Sequence, residues 1–161
     1  MKNSETDKQM LLIGIGNIGR GDDGLGWEFV ERVTNLGYHF MDYEFRYQLQ
    51  VEDCELISKY DIVVFVDASH EPLDGGFELS RCTPGSHPYF ATHAQTPEAI
   101  LHLANSLYNK FPRTYTLAIS GREWGFQNPL SLEAKNHLQS AFEFFVEEFL
   151  PTVEPVIAYG H

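Results

Sequence analysis

A chain of 161 residues with 43% hydrophobic content is sized for one domain with a sizeable core, and has no room for a catalytic domain beside a separate nucleotide-binding one. A formal net charge of −12, with no basic run, argues against nucleic acid and against an anionic membrane as partners. No apolar stretch approaches the roughly 20 residues that span a bilayer, the N-terminus MKNSETDKQ lacks an apolar signal region, and Cys54 and Cys82 lack metal-type spacing, so the expectation is a cytoplasmic protein without a disulfide framework.

Residues 1–9 are polar and read as a flexible N-terminus, 10–150 as a single α/β domain and 151–161 as a C-terminal tail. From Leu11, four apolar residues run into a glycine-rich turn. Two adjacent carboxylates, Asp22 and Asp23, follow, and an amphipathic helix pattern starts with Phe29, Val30 and Val33. Tyr38 to Leu49 reads as a second strand running into a loop, and Val51 to Lys59 as a short helix. Ile62 to Asp67 is a continuous β-branched and aromatic run, the mark of a strand buried on both faces of a parallel sheet. Ala68 to Thr96 is mostly irregular apart from an edge strand at Phe77 to Arg81, and a loop of that length points to function.

Thr96 and Pro97 then open a helix whose core face is expected from Ile100, Leu103, Ala104, Leu107, Tyr108 and Phe111. Thr114 to Ile119 is the last central strand, followed by the loop SGREWGFQNP. Ser131 opens a final helix with an apolar stripe of Leu138, Ala141, Phe142, Phe145, Val146 and Phe149, and Pro151 is expected to stop it. This order predicts a single-domain three-layer sandwich: a mostly parallel, twisted sheet of about five strands with helices on both faces.

In such a sheet ligands bind in the crevice beyond the carboxyl ends of the strands, here near Gly16 to Asp23. Gly14, Gly16 and Gly19 spell G-x-G-x-x-G after a strand, a dinucleotide-binding pattern for which Asp42 or Glu44 could be the ribose-binding acid. Against it, Asp22 and Asp23 place two negative charges where a pyrophosphate would need the helix N-terminus, and they suit a cation instead. One of the two reads as a helix N-cap, and a second carboxylate exceeds what capping needs.

Asp23 and Asp67 both follow parallel strands, and His93 lies in ATHAQTP just before the third helix. Two carboxylates and an imidazole on one rim make a three-ligand N/O site with positions left open for water or substrate. Each residue alone also has a plain reading, Asp67 as a turn or cap residue and His93 as a surface histidine. Among the other histidines, His39 reads as part of a strand, His70, His87, His102 and His137 as solvent-facing, and His161 ends the chain. There is no G-x-S-x-G motif, and Ser69 is expected to point away from Asp67, so metal-assisted chemistry is the better candidate.

GIGNIGRGDDGLG resembles the N-terminal motif of the hydrogenase maturation proteases, the endopeptidases that trim the C-terminus of the nickel-containing hydrogenase large subunit. IVVFVDAS is similar to that family's third-strand motif, ATHAQTPEAILHLANSLY to its histidine segment and following helix, and LAISGREWGFQNPLSLEA to its last strand and loop. With QLQVEDCELISKYD, the resemblance runs through most of residues 10–145. Two departures stand out. Trp124 follows Gly121-Arg122-Glu123 where members often carry Pro, and the first acid is Asp23 where some members have Glu.

The resemblance implies that Asp23, Asp67 and His93 are the nickel-binding and catalytic residues of an aspartic-type, metal-dependent endopeptidase. It implies that the nickel is carried by the substrate, the large-subunit precursor, although another divalent metal could take the same ligands in vitro. The metal could polarise the scissile carbonyl or activate a water. A non-catalytic assembly factor that binds the precursor, and a nucleotide-binding domain using GIGNIG, are the alternatives. Oligomeric state is not legible.

Overall fold

The computed structural model describes residues 9–84 and 96–153. His93 therefore lies outside the described residues, as do His87 and His161. A five-stranded sheet runs in the order β2-β1-β3-β5-β4, built from β1 (Met10–Ile15), β2 (Met41–Arg46), β3 (Ile62–Ser69), β4 (Phe77–Arg81) and β5 (Arg113–Ser120). All neighbours are parallel except β4, which pairs antiparallel with β5 at the edge.

Because successive side chains of a strand point to opposite faces, the unbroken apolar runs of β1 and β3 feed two cores at once. Met10, Leu12, Val64 and Val66 face α1 (Leu25–Thr34) and α4 (Leu132–Phe144), where Phe29, Val30, Leu138 and Phe145 meet them. Leu11, Ile13, Val63 and Phe65 face α2 (Asp53–Ile57) and α3 (Pro97–Tyr108), where Ile57, Ile100 and Ala104 close the other layer. The expected three-layer architecture is the one found.

Details differ from the sequence expectation. The second strand spans only Met41–Arg46, and His39 sits in the turn before it. In α3 the inward residues are Ala99, Ile100, Leu101 and Ala104, whereas Leu107 is 62% and Phe111 65% exposed. The apolar repeat outruns the helix, which ends where Asn109 takes the left-handed conformation (φ 56°), so Phe111 belongs to the following loop. Pro151 does not stop the last helix, which continues to Val153. A π-turn at Phe145–Phe149 shifts the hydrogen-bond ladder just ahead of the proline, and Leu150 and Val153 are buried.

One close approach fixes the site-bearing helix. A methyl group on Gly26, in the first turn of α1, would strike the carbonyl oxygens of Ile15 and Val66. Only glycine lets α1 rest directly on β1 and β3, and this seats the preceding residues, including Asp23, over the carboxyl ends of those strands.

Candidate active site

β1 and β3 are adjacent and parallel, and the connection from β1 returns to β2 on one side while β3 adjoins β5 on the other. The crevice at this reversal is where α/β sheets place ligands, and Asp23 and Asp67 stand on it. Asp23 ends up there because Gly16 adopts φ +139°, with the Asp23 carbonyl packed against its Cα. The Asn17 N–H donates both to the Asp23 backbone oxygen at 3.1 Å and to its Oδ2 at 3.0 Å, which fixes the carboxylate. Asp67 follows the buried run Ile62–Val66, and its Oδ1 accepts from the Ala68 N–H at 2.8 Å.

Each carboxylate thus keeps one oxygen, Asp23 Oδ1 and Asp67 Oδ2, that accepts no hydrogen bond from a described residue. Asp67 is exposed by area, yet its carboxyl is crowded at the rim. Desolvation pushes its pKa up to about 6, the Ala68 N–H works against this, and the Asp23 charge adds to it. Two mutually repelling carboxylates with a free oxygen each are oxygen donors suited to a divalent cation. Among the described residues no cluster of three potential ligands forms, and His93 would have to complete the set.

The other member of the pair has a different fate. Neither Asp22 nor Asp23 is a side-chain cap: Arg20 and Gly24 occupy the N-cap positions of the 3-10 turn Gly21–Gly24 and of α1, without side-chain cap bonds. Asp22 is fully buried and reaches across to the loop after β5. Its Oδ2 accepts from the Arg122 N–H at 2.6 Å, the Glu123 N–H at 2.8 Å and the Ser131 hydroxyl at 2.7 Å, and its Oδ1 from the Ser131 N–H at 2.7 Å. Burial pushes its pKa up, but the bonds from Glu123, Ser131 and Arg122 together outweigh it, and the group rests below the ordinary carboxylate range.

Three of the turn amides are also spoken for. Gly16 N–H donates to Arg46 O at 2.9 Å and Gly19 N–H to Asn17 Oδ1 at 2.8 Å, while Asn17 N–H serves Asp23. A pyrophosphate would find these donors occupied, so the G-x-G-x-x-G pattern here builds a carboxylate-holding turn.

The loop beyond β5 closes one flank. Trp124 lies over Gly121 and stacks on His70, with ring centroids 3.7 Å apart and planes 16° from parallel. That is the shape the loop takes with Trp in place of Pro. His137, expected to face solvent, is half-buried, and its Nδ1–H donates to Ser120 O at 2.8 Å. With Arg122 and Glu133 these residues line a cleft of about 400 Å³. Ser69 also departs from expectation. β3 extends through it, so Ser69 shares a face with Asp67, but its hydroxyl accepts from the Glu71 N–H at 3.0 Å. Thr96 caps α3 as expected, accepting from the Ala99 N–H at 3.1 Å. Because α3 leads down into the start of β5, Thr96 lies towards the carboxyl rim, and His93 precedes it by three residues in the sequence.

The fold is similar to that of solved hydrogenase maturation proteases. The chain is similar to the hydrogenase 2 maturation peptidase of Thaumarchaeota archaeon SCGC_AB-539-E09, at TM-score 0.65 and 20% identity over 88% of this chain and 98% of that one. It is also similar to the NiFe hydrogenase maturation protease HycI of Thermococcus kodakarensis KOD1 (TM-score 0.67, 21% identity, 87% and 91% covered). The maturating endopeptidase HybD of E. coli superposes at TM-score 0.65 with 16% identity, over 91% and 93% of the chains. No family model and no curated protein matches the sequence. Among the described residues no helix is long and apolar enough to cross a membrane.

Proposed function

We propose that this protein is a metal-dependent endopeptidase that removes a C-terminal peptide from the nickel-loaded precursor of a NiFe-hydrogenase large subunit. The observation that carries the reading is the pair Asp23 and Asp67, held on the reversal crevice of a maturation-protease-like fold, each with one carboxylate oxygen that accepts no hydrogen bond from a described residue. Asp23, Asp67 and His93 would be the ligands, and the nickel arrives as part of the substrate. Bound there, it would polarise the scissile carbonyl or lower the pKa of a water.

The chain's own part is positioning. Asn17 and Ala68 N–H groups hold the two carboxylates in place before any metal arrives, and the Asp22 anchor keeps the flanking loop from shifting over them. A cytoplasmic location belongs to the same proposal.

The test is the mass of the purified precursor, nickel-loaded or nickel-free, after incubation with the protein, with His93→Ala and Asp67→Asn in parallel. Loss of a C-terminal peptide only from the nickel-loaded form, and with neither variant, is the expected result. A stable complex without any mass change would replace the protease by a non-catalytic assembly factor.

A further inference from the structure

Beside the candidate site, on the side of α1, the chain presents a cleft that the proposed chemistry does not use. Ile18 sits on the turn that holds Asp23, packed over Gly24, and is 54% exposed. From it a cleft of about 320 Å³ opens along a wall made by Trp27 and Phe45, with Glu28 and Glu31 also lining it. Its aromatic wall is fixed. Trp27 donates its indole N–H to Arg46 O at 2.9 Å and packs on Phe45 and Tyr47, both at 5.2 Å between centroids.

Among the described residues no cation pairs with the charge lining the cleft. Neither the Glu28 nor the Glu31 carboxylate makes an ion pair or accepts a hydrogen bond from a described residue. The nearby cations are turned elsewhere. Arg32 donates to Gln139 at 2.7 Å and lies over Phe142, and Arg46 is held by Glu44 at 2.8 Å and Asp53 at 3.1 Å. Lys135 lines the neighbouring cleft, which shares Ile18 and Glu28, without closing an ion pair to Glu28.

We propose that this cleft is a subsite for a lysine or arginine side chain of the substrate polypeptide. The aliphatic stem would lie between Ile18 and Phe45, and the cationic head would meet the Trp27 face and the two carboxylates. A neutral apolar side chain would leave both charges unanswered, and an acidic one would be repelled. Ile18 links the cleft to Asp23, so a chain seated here runs on to the candidate site. The inference rests on the endopeptidase reading for the identity of the polypeptide.

The experiment follows the Trp27 indole N–H signal of the full-length protein by NMR, assigned with Trp124→Phe. The probe is a blocked five-residue peptide with a central arginine among alanines, compared with the same peptide carrying uncharged citrulline. Binding of the arginine peptide should shift that signal. It should weaken roughly tenfold or more, both with citrulline and in Glu28→Gln/Glu31→Gln, and stay unchanged in Glu147→Gln/Glu148→Gln, which removes equal charge from the outer face of the last helix.

An unmoved Trp27 signal, equal binding of citrulline, or equal weakening in both double variants would each overturn the subsite. So would a Trp27 shift that follows protein concentration without peptide, which would assign the cleft to a second copy. Binding is read here without cleavage. Arginine-dependent binding with no precursor processing would sink the endopeptidase reading alone, and processing without arginine-dependent binding would sink the subsite alone.

Discussion

The turn that carries Asp22 and the rim that carries Asp23 and Asp67 use one kind of side chain for opposite ends. Asp22 has lost all contact with solvent and satisfies four donors from a segment about 100 residues away. Among the described residues Asp23 and Asp67 take bonds only from the nearby N–H groups of Asn17 and Ala68, each has an oxygen that accepts none, and the Asp23 charge raises the Asp67 pKa. A saturated carboxylate is architecture, whereas a pair with unused oxygens offers the chemistry that suits a cation.

The comparison breaks first at Asp22. Asp22→Ala leaves four donors without their acceptor, the two of Ser131 buried and those of Arg122 and Glu123 part-buried, and should cost about 3 kcal/mol in urea unfolding. A loss below about 1 kcal/mol would mean that the loop after β5 is held by something else. Ser131→Ala removes one of those donors together with the cap of α4, for which an intermediate cost of about 1–2 kcal/mol is expected in the same measurement.

Asp67→Asn should act in the opposite direction. The Asp67 carboxyl has its pKa raised in the folded state to about 6, above the usual carboxylate value near 3.9. The unfolded chain therefore ionises first, and native stability is lost as pH rises through that window. With chelator present, the variant should melt higher than the wild type at pH 7.5 and converge with it below about pH 4. A variant that melts lower at pH 7.5 would show that the charge is already compensated. The smallest effect belongs to Leu107→Ser, which should stay within about 0.5 kcal/mol because the side chain is exposed, against the sequence expectation of a core position.

Much of this was legible in the residues themselves. IVVFVD announced a strand buried on both faces, Thr96-Pro97 a helix start, and both are found as read. The three-layer fold followed from the order of such segments. What stayed hidden was long-range. Nothing local distinguishes Asp22 from Asp23, because the partners of Asp22 are Arg122, Glu123 and Ser131, and only the folded chain brings them near. His137 looked like a surface residue until Ser120 O supplied its partner, and Pro151 looked like a stop until the π-turn before it made room. Periodicity also could not show where α3 stops being covered, since Leu107 fits the helical repeat as well as Ala104 does.

The two edges of the sheet bear on how any extended polypeptide can approach. β4 is only five residues long and carries Glu78 and Arg81, and β2, at the opposite margin, carries Asp42, Glu44 and Arg46. Short, charge-bearing margins discourage a foreign strand from annealing to the sheet by main-chain pairing. The sheet is thereby kept from being lengthened strand upon strand by a passing polypeptide, and it stays at five strands.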